Sequence, residues 1–210
     1  METSIVPIEL AKKIEEVLPT MQGWCSLSKA LKLSESIIAI EPEIVVEIGI
    51  FGGRSLIPMA MTLQHLGKGV IYGVEAWNPG AATSFTTNSE NDNWWKEIDF
   101  SAIKSGFLKK VVECELASFA RIVEIDAARA HSVFDVIDFL HIDGGHSAPA
   151  ALLDVAHFLP KLRTGGILVF DDINWETTRI AVEVVETQCD TIEEVRDDDG
   201  IVTCKFYRKR

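Results

Sequence analysis

Two short stretches concentrate the residue types able to do chemistry. His141-Ile-Asp143-Gly-Gly-His146-Ser147 follows one apolar run, and Gly165-Gly-Ile-Leu-Val-Phe170-Asp171-Asp172 closes another. If the runs are neighbouring parallel strands, about 4.8 Å apart, carboxylates at their ends can converge on one cation. Asp143, Asp171 and Asp172 then form an all-oxygen set suited to Mg²⁺ or another divalent metal, with water and substrate oxygens completing the shell. Three carboxylates at the end of an apolar sheet repel one another unless a cation neutralises them. The alternative is that one or two face solvent or cap the next helix. A histidine, with an unperturbed pKa of about 6.5, suits a general base near neutral pH, which makes His146 the candidate. His141 alternates with Asp143 and shares its strand face, either orienting a ligand or sitting as a satisfied core residue. His65, His131 and His157 fall in helical patterns and carry no signal.

A second constellation, Glu47-Ile-Gly49-Ile-Phe-Gly52-Gly53-Arg-Ser55, follows a predicted strand and opens a predicted helix. That is where an open α/β sheet binds ligands, at its carboxyl edge. Neither phosphate-binding fingerprint, G-x-G-x-x-G or G-x-x-x-x-G-K-[ST], is present. The pattern instead resembles the first motif of class I methyltransferases, E/D-x-G-x-x-x-G, which implies S-adenosyl-L-methionine as cofactor. This cofactor has no pyrophosphate, and its cationic amine and sulfonium favour a nearby carboxylate. The resemblance assigns Glu47, Gly49, Gly52, Gly53 and Ser55 to its site. In Glu75-Ala76-Trp77, after the second strand, Glu75 can accept from both ribose hydroxyls. Asp126-Ala127 resembles the family's adenine-contacting position; a helix N-cap is an equal reading of Asp126.

Asp-Gly-Gly-His after one strand and Val-Phe-Asp-Asp after the next resemble the metal-dependent small-molecule O-methyltransferases, of the macrolide-sugar type and more distantly the catechol type. The resemblance covers roughly residues 24–175. It implies Asp143, Asp171 and Asp172 as metal ligands and His146 as base, with Asp143 also serving cofactor binding and catalysis. The catechol branch commonly has Asn where Asp172 stands and a Lys base near residues 144–146, so the departure favours the sugar-like branch. The implied reaction is methyl transfer to a small-molecule hydroxyl, of a sugar, a phenol or another natural product. A nicotinamide-dependent oxidoreductase would share the fold but lacks its glycine fingerprint. A non-catalytic S-adenosylmethionine-binding protein is the other alternative.

The elements that must position these residues follow from periodicity. Helical stretches are predicted over Ile8–Leu18 and Ser26–Ile40, forming a helical cap over residues 1–42. Apolar β-branched runs at Ile44–Ile48, Gly69–Val74, Arg121–Ile125, Val133–Ile142 and Gly166–Phe170 alternate with helical patterns, as in a parallel sheet buried on both faces. Ile192–Arg196 and Ile201–Tyr207 flank Asp197-Asp-Asp-Gly200 and read as a hairpin. The expected fold is therefore a single α/β domain over residues 1–210. Its sheet is doubly wound, mostly parallel and seven-stranded, with an antiparallel C-terminal strand. Residues 76–99, weakly periodic and carrying Trp77, Trp94 and Trp95, read as a lid that frames an acceptor together with Asn174-Trp175.

Composition sets the outer limits. With 210 residues and 47% hydrophobic content the chain can bury a sizeable core. A net charge of −12 opposes a nucleic-acid partner. The opening Met1-Glu-Thr-Ser-Ile-Val-Pro lacks the pattern of a signal peptide, and no apolar span is long enough for a bilayer, so a cytoplasmic protein without a membrane partner is expected. Cys25, Cys114, Cys189 and Cys204 are scattered and read as reduced thiols. The helical N-terminal extension is a candidate surface for a homo-oligomer.

Overall fold

The computed structural model describes residues 5–210; residues 1–4, which open the expected cap and part of the stretch read as lacking a signal peptide, lie outside the described residues. The chain begins with α1 (Ile8–Val17) and α2 (Leu27–Ile40). Then come β1 (Ile44–Ile48), α3 (Leu56–Leu66), β2 (Val70–Val74), α4 (Pro79–Ala82), α5 (Ser89–Glu97), α6 (Phe100–Glu113) and β3 (Ala120–Val123). The second half runs α7 (Ala127–Ala130), β4 (Ile137–Ile142), α8 (Ala148–Phe158), β5 (Leu162–Asp171), α9 (Arg179–Glu186), β6 (Cys189–Arg196) and β7 (Val202–Lys209).

The seven strands form one sheet in the order β3-β2-β1-β4-β5-β7-β6. Neighbours are parallel from β3 through β5, and β7 runs antiparallel to both β5 and β6. The predicted hairpin is therefore present, with its second strand inserted against β5. From β1 the chain winds outward through β2 and β3, then returns to the other side of β1 for β4 and β5. The switch point lies between β1 and β4, where an open α/β sheet leaves a crevice at its carboxyl edge.

Strand alternation divides the core. Val45, Phe139, Ile167, Val169 and Phe206 face α1, α2, α3 and α6, whereas Val46, Ile48, Leu140, Ile142, Leu168 and Phe170 face α8 and α9. Glu47 and His141 share the parity of the first set, and both are completely buried. The inner face of α2 reads Lys29, Ala30, Leu33, Ser34, Ile37, a helical stripe whose first member is charged.

Several boundaries differ from those read in the sequence. β4 starts at Ile137 rather than Val133, because His131–Val133 forms a short 3₁₀ turn. β3 ends two residues early at Val123, and β5 begins four residues early at Leu162. Residues 76–99 are not one irregular loop. Asn78 caps α4 by accepting from Gly80 N–H at 2.7 Å, and Asn88 caps α5 by accepting from Asn91 N–H at 2.9 Å. The Asn-rich composition that suggested a loop is supplying helix starts. All four cysteines are free thiols. No helix among the described residues is long and apolar enough to cross a membrane.

Candidate active site

Four acidic residues stand at the carboxyl ends of four adjacent strands: Glu47 in β1, Glu75 after β2, Asp126 after β3 and Asp143 after β4. A row of acceptors of this kind complements a ligand that presents an ammonium, a sulfonium, a ribose diol and an exocyclic amine. The expected cofactor fits that row in chemistry. Glu75 is best placed for the diol: its carboxylate already accepts from Trp77 N–H at 2.9 Å and Phe51 N–H at 3.1 Å, which fixes it and leaves lone pairs for hydroxyls. Burial pushes its carboxyl up, against those backbone hydrogen bonds. Half-buried Ala76 separates the two bonded partners. Trp77 closes the other side, donating its indole N–H to Phe51 O at 2.9 Å. Asp126 caps α7 by accepting from Ala128 N–H at 2.8 Å, with Ala127 as the first residue of that helix.

The glycine turn is built by close approach. Gly49 has φ +89°, and a Cβ there would lie 2.0 Å from the Asp143 carbonyl oxygen, across the switch point. Gly52 packs against Gln22 and Gly53 against Phe107. Arg54 holds the preceding segment in place by donating to Cys25 O at 3.0 Å and Met21 O at 2.9 Å.

Glu47, expected to face the cofactor amine, is sealed beneath the turn. Its Oε1 accepts from Ser55 Oγ at 2.5 Å and lies 2.8 Å from His141 Nδ1, while Oε2 and His141 Nε2 have no hydrogen-bond partner. Burial pushes the Glu47 carboxyl up to about 8. Burial, and then the Lys29 charge, push His141 down to about 3, so the imidazole is neutral and donates Nδ1–H. His141 is thus a satisfied core residue on the Glu47 side and open at Nε2, 3.8 Å from Asp171.

The three aspartates expected to share a metal part company. Asp171 points inward and pairs with the Lys29 ammonium, which is also 3.8 Å from Asp143 Oδ2. Only 6% of the Lys29 side chain is exposed. Burial opposes its charge, but Asp143 and its other neighbours more than offset this and hold it above its ordinary range. Asp172 turns the other way. Its backbone is left-handed at φ +54°, and its carbonyl oxygen accepts from Thr178 Oγ1 at 2.8 Å and Trp175 N–H at 3.2 Å. Asp can adopt this region, and the turn carries the side chain away from Asp171 to His146. Asp172 Oδ2 lies 2.7 Å from His146 Nε2. Burial would lower His146, yet the Asp172 hydrogen bond and charge leave it raised; the same bond leaves Asp172 lowered against burial.

A divalent metal was expected on Asp143, Asp171 and Asp172. Asp143, His146 and Asp172 do place donor atoms within 4.8 Å of one another. That set is mixed rather than all-oxygen, and its imidazole is already hydrogen-bonded within the group, whereas Mg²⁺ prefers oxygen donors. A cation on Asp143 would also adjoin the Lys29 ammonium. Like charges about 4 Å apart repel by about 4 kcal/mol per unit pair at an effective dielectric of 20. The three-carboxylate site therefore does not fit, and the physical reason is a lysine on α2.

Aromatic residues frame the open side. Trp94 and Trp95 of α5 lie 6.1 and 5.7 Å from the Phe51 ring, and Trp24 stacks on Phe51 at 5.4 Å. Trp175 lies 4.7 Å from His146. Beneath the Asp-Gly-Gly-His loop, Asp154 of α8 fills the space that a Cβ on Gly144 would need, with Oδ2 2.6 Å from that position. Burial, and then the Asp126 charge, push the Asp154 carboxyl up to about 8. Its folded value exceeds the unfolded value of about 3.9, so the native state holds the extra proton and stability falls as pH rises between these values. Asp154→Asn should therefore raise the thermal midpoint relative to wild type, by an amount that grows across that window. A midpoint difference that stays flat with pH would contradict the assignment.

A family model described as a methyltransferase domain matches residues 46–173. No curated protein matches the chain in sequence. Among solved structures, cofactor-bound Rv0187 from MTB aligns with TM-score 0.68 and 14% identity over 97% of this chain and 89% of its own. The O-methyltransferase TomG from Streptomyces achromogenes, in complex with SAM, gives 0.66 and 16% over 97% and 91%. An O-methyltransferase from Bacillus cereus, in complex with SAH, gives 0.65 and 13% over 98% and 93%. At these identities the likeness is one of fold.

Proposed function

The chain belongs to the methyltransferase-domain family, and from that premise we propose that it is an S-adenosylmethionine-dependent O-methyltransferase acting on a small-molecule hydroxyl. The observation that carries the acceptor half of this reading is the Asp172–His146 pair at 2.7 Å, at the partly exposed end of the acidic group and beside Trp175. With His146 Nε2–H donated to Asp172, Nδ1 is the nitrogen left to take a proton from an acceptor hydroxyl. Asp172 positions the ring and stabilises the imidazolium that forms, the role a buried carboxylate plays in other acid–histidine pairs. S-adenosylmethionine, when bound, supplies the methyl group and leaves as S-adenosylhomocysteine.

The remaining tasks fall to residues already described. Glu75 would hold the ribose, Asp126 and Ala127 the adenine edge, and the Gly49–Gly53 turn the methionine end. Trp175 and the Trp94–Trp95 helix would exclude water and present an apolar face to a phenol or sugar ring. Divalent-metal assistance is left out of this reading, because Lys29 already neutralises Asp171.

Calorimetry with S-adenosylmethionine and S-adenosylhomocysteine tests the cofactor half. Wild type should bind both, and Glu75→Gln should weaken binding about tenfold through loss of one charge-assisted hydrogen bond. A panel of phenols and glycosides with isotopically labelled methyl donor tests the acceptor half. Binding without transfer to any hydroxyl would favour a non-catalytic binding protein; no binding by folded protein would end the proposal.

A further inference from the structure

We propose that Lys29 is a resident counter-cation that takes the place of a divalent metal at the carboxylate group, leaving this chain's site metal-independent. The inference rests on the proposed reading only for which site is meant; the charge arrangement stands on geometry alone. Lys29 lies at the buried start of the α2 stripe, where Ala30, Leu33 and Ile37 pack on the core. A long charged side chain on such a face is almost never sealed without a partner. It has two: Asp171, in direct ion pair, and Asp143 at 3.8 Å. These carboxylates come from β5 and β4, whose adjacent ends bring them together. The amine therefore stands where the acidic ends of the two strands converge.

The consequence separates the site into two halves. In the inner half, Lys29, Asp171, His141 and Glu47 are buried and mutually engaged. In the outer half, Asp143, His146 and Asp172 retain 20%, 21% and 31% side-chain exposure and face the acceptor side. Lys29 fixes the charge of the inner half whatever ions are in solution. Its role is positioning: it holds Asp143 and Asp171 and touches neither cofactor nor acceptor.

Mn²⁺ binding, followed by the loss of the free-ion electron paramagnetic resonance signal, tests this without any methyl transfer. Wild type should hold no Mn²⁺ below the millimolar range. Lys29→Met, which keeps length and removes charge, should gain a site at least about tenfold tighter. Adding Asp171→Asn to it should abolish the gain, and Lys29→Arg should behave as wild type. If Lys29→Met is unfolded without metal, its thermal midpoint should rise with millimolar Mn²⁺ while that of wild type stays fixed. A micromolar Mn²⁺ site in wild type that Asp143→Asn removes would overturn the proposal, as would a Lys29→Met protein whose affinity and midpoint ignore Mn²⁺. Because cofactor binding is measured separately, failure here leaves the methyltransferase reading intact, and failure there leaves the counter-cation standing.

Discussion

Gly49→Ala is expected to give protein that is largely unfolded, or folded with no measurable S-adenosylmethionine binding. Two effects add at this position. The backbone stands at φ +89°, which L residues rarely adopt, and the new methyl would lie 2.0 Å from the Asp143 carbonyl oxygen. Neither atom can yield cheaply. Gly49 N–H is bonded to Val74 O at 3.0 Å and Asp143 N–H to Ile48 O at 2.9 Å, so both sides of the contact are tied to the sheet. Backbone strain and overpacking together should cost about 3–5 kcal/mol. For a domain of this size that is a fall of roughly 6–20 °C in thermal midpoint. Scanning calorimetry checks the fall and titration calorimetry the lost affinity. A variant within a degree or two of wild type that still binds cofactor would show that the β1–β4 approach is looser than described.

His146→Ala should lower the rate of methyl transfer by about 10²–10⁴, the usual contribution of a positioned general base, with cofactor affinity changed less than about threefold. The pH profile adds an independent check. A base works unprotonated, so its rate falls as pH drops through its pKa. His146 is raised above its ordinary 6.5, because the Asp172 hydrogen bond and charge outweigh burial; the acid limb should therefore lie above that value. Asp172→Asn removes the raising partner and should shift the limb to lower pH while also lowering the rate. Equal activity of His146→Ala and wild type on a genuine acceptor would remove His146 from the chemistry. An unshifted limb in Asp172→Asn would remove the pairing.

Much of the architecture was legible because it follows from period and sign. The alternation of apolar runs with helical stretches gave a mostly parallel sheet, and Asp197-Asp-Asp-Gly200 gave the hairpin. The acidic ends of β1 to β5 were readable as residue types. Their directions were not. Asp171 and Asp172 are adjacent, and only the left-handed backbone of Asp172 sends one carboxylate inward and the other to His146. Lys29 was missed because a single lysine in a cap helix reads as a solvated side chain. The signal was there in its spacing: four residues before Leu33 and eight before Ile37, it sits on the buried stripe. The helices inside residues 76–99 were hidden by asparagines that serve as caps rather than loop formers.

The insertion of β7 between β5 and β6 bears on how the protein is made. β5, which ends in Asp171, pairs on one side with β4 but on the other only with β7. On the ribosome, roughly 40 further residues separate those two events, about 2–8 s at ordinary elongation rates. Throughout that interval the nascent sheet carries an open, apolar strand edge, the feature most prone to pairing with another chain. Chaperone demand during synthesis should therefore concentrate on this last stretch, and slow codons placed there should lower the yield of soluble protein more than slow codons before β5.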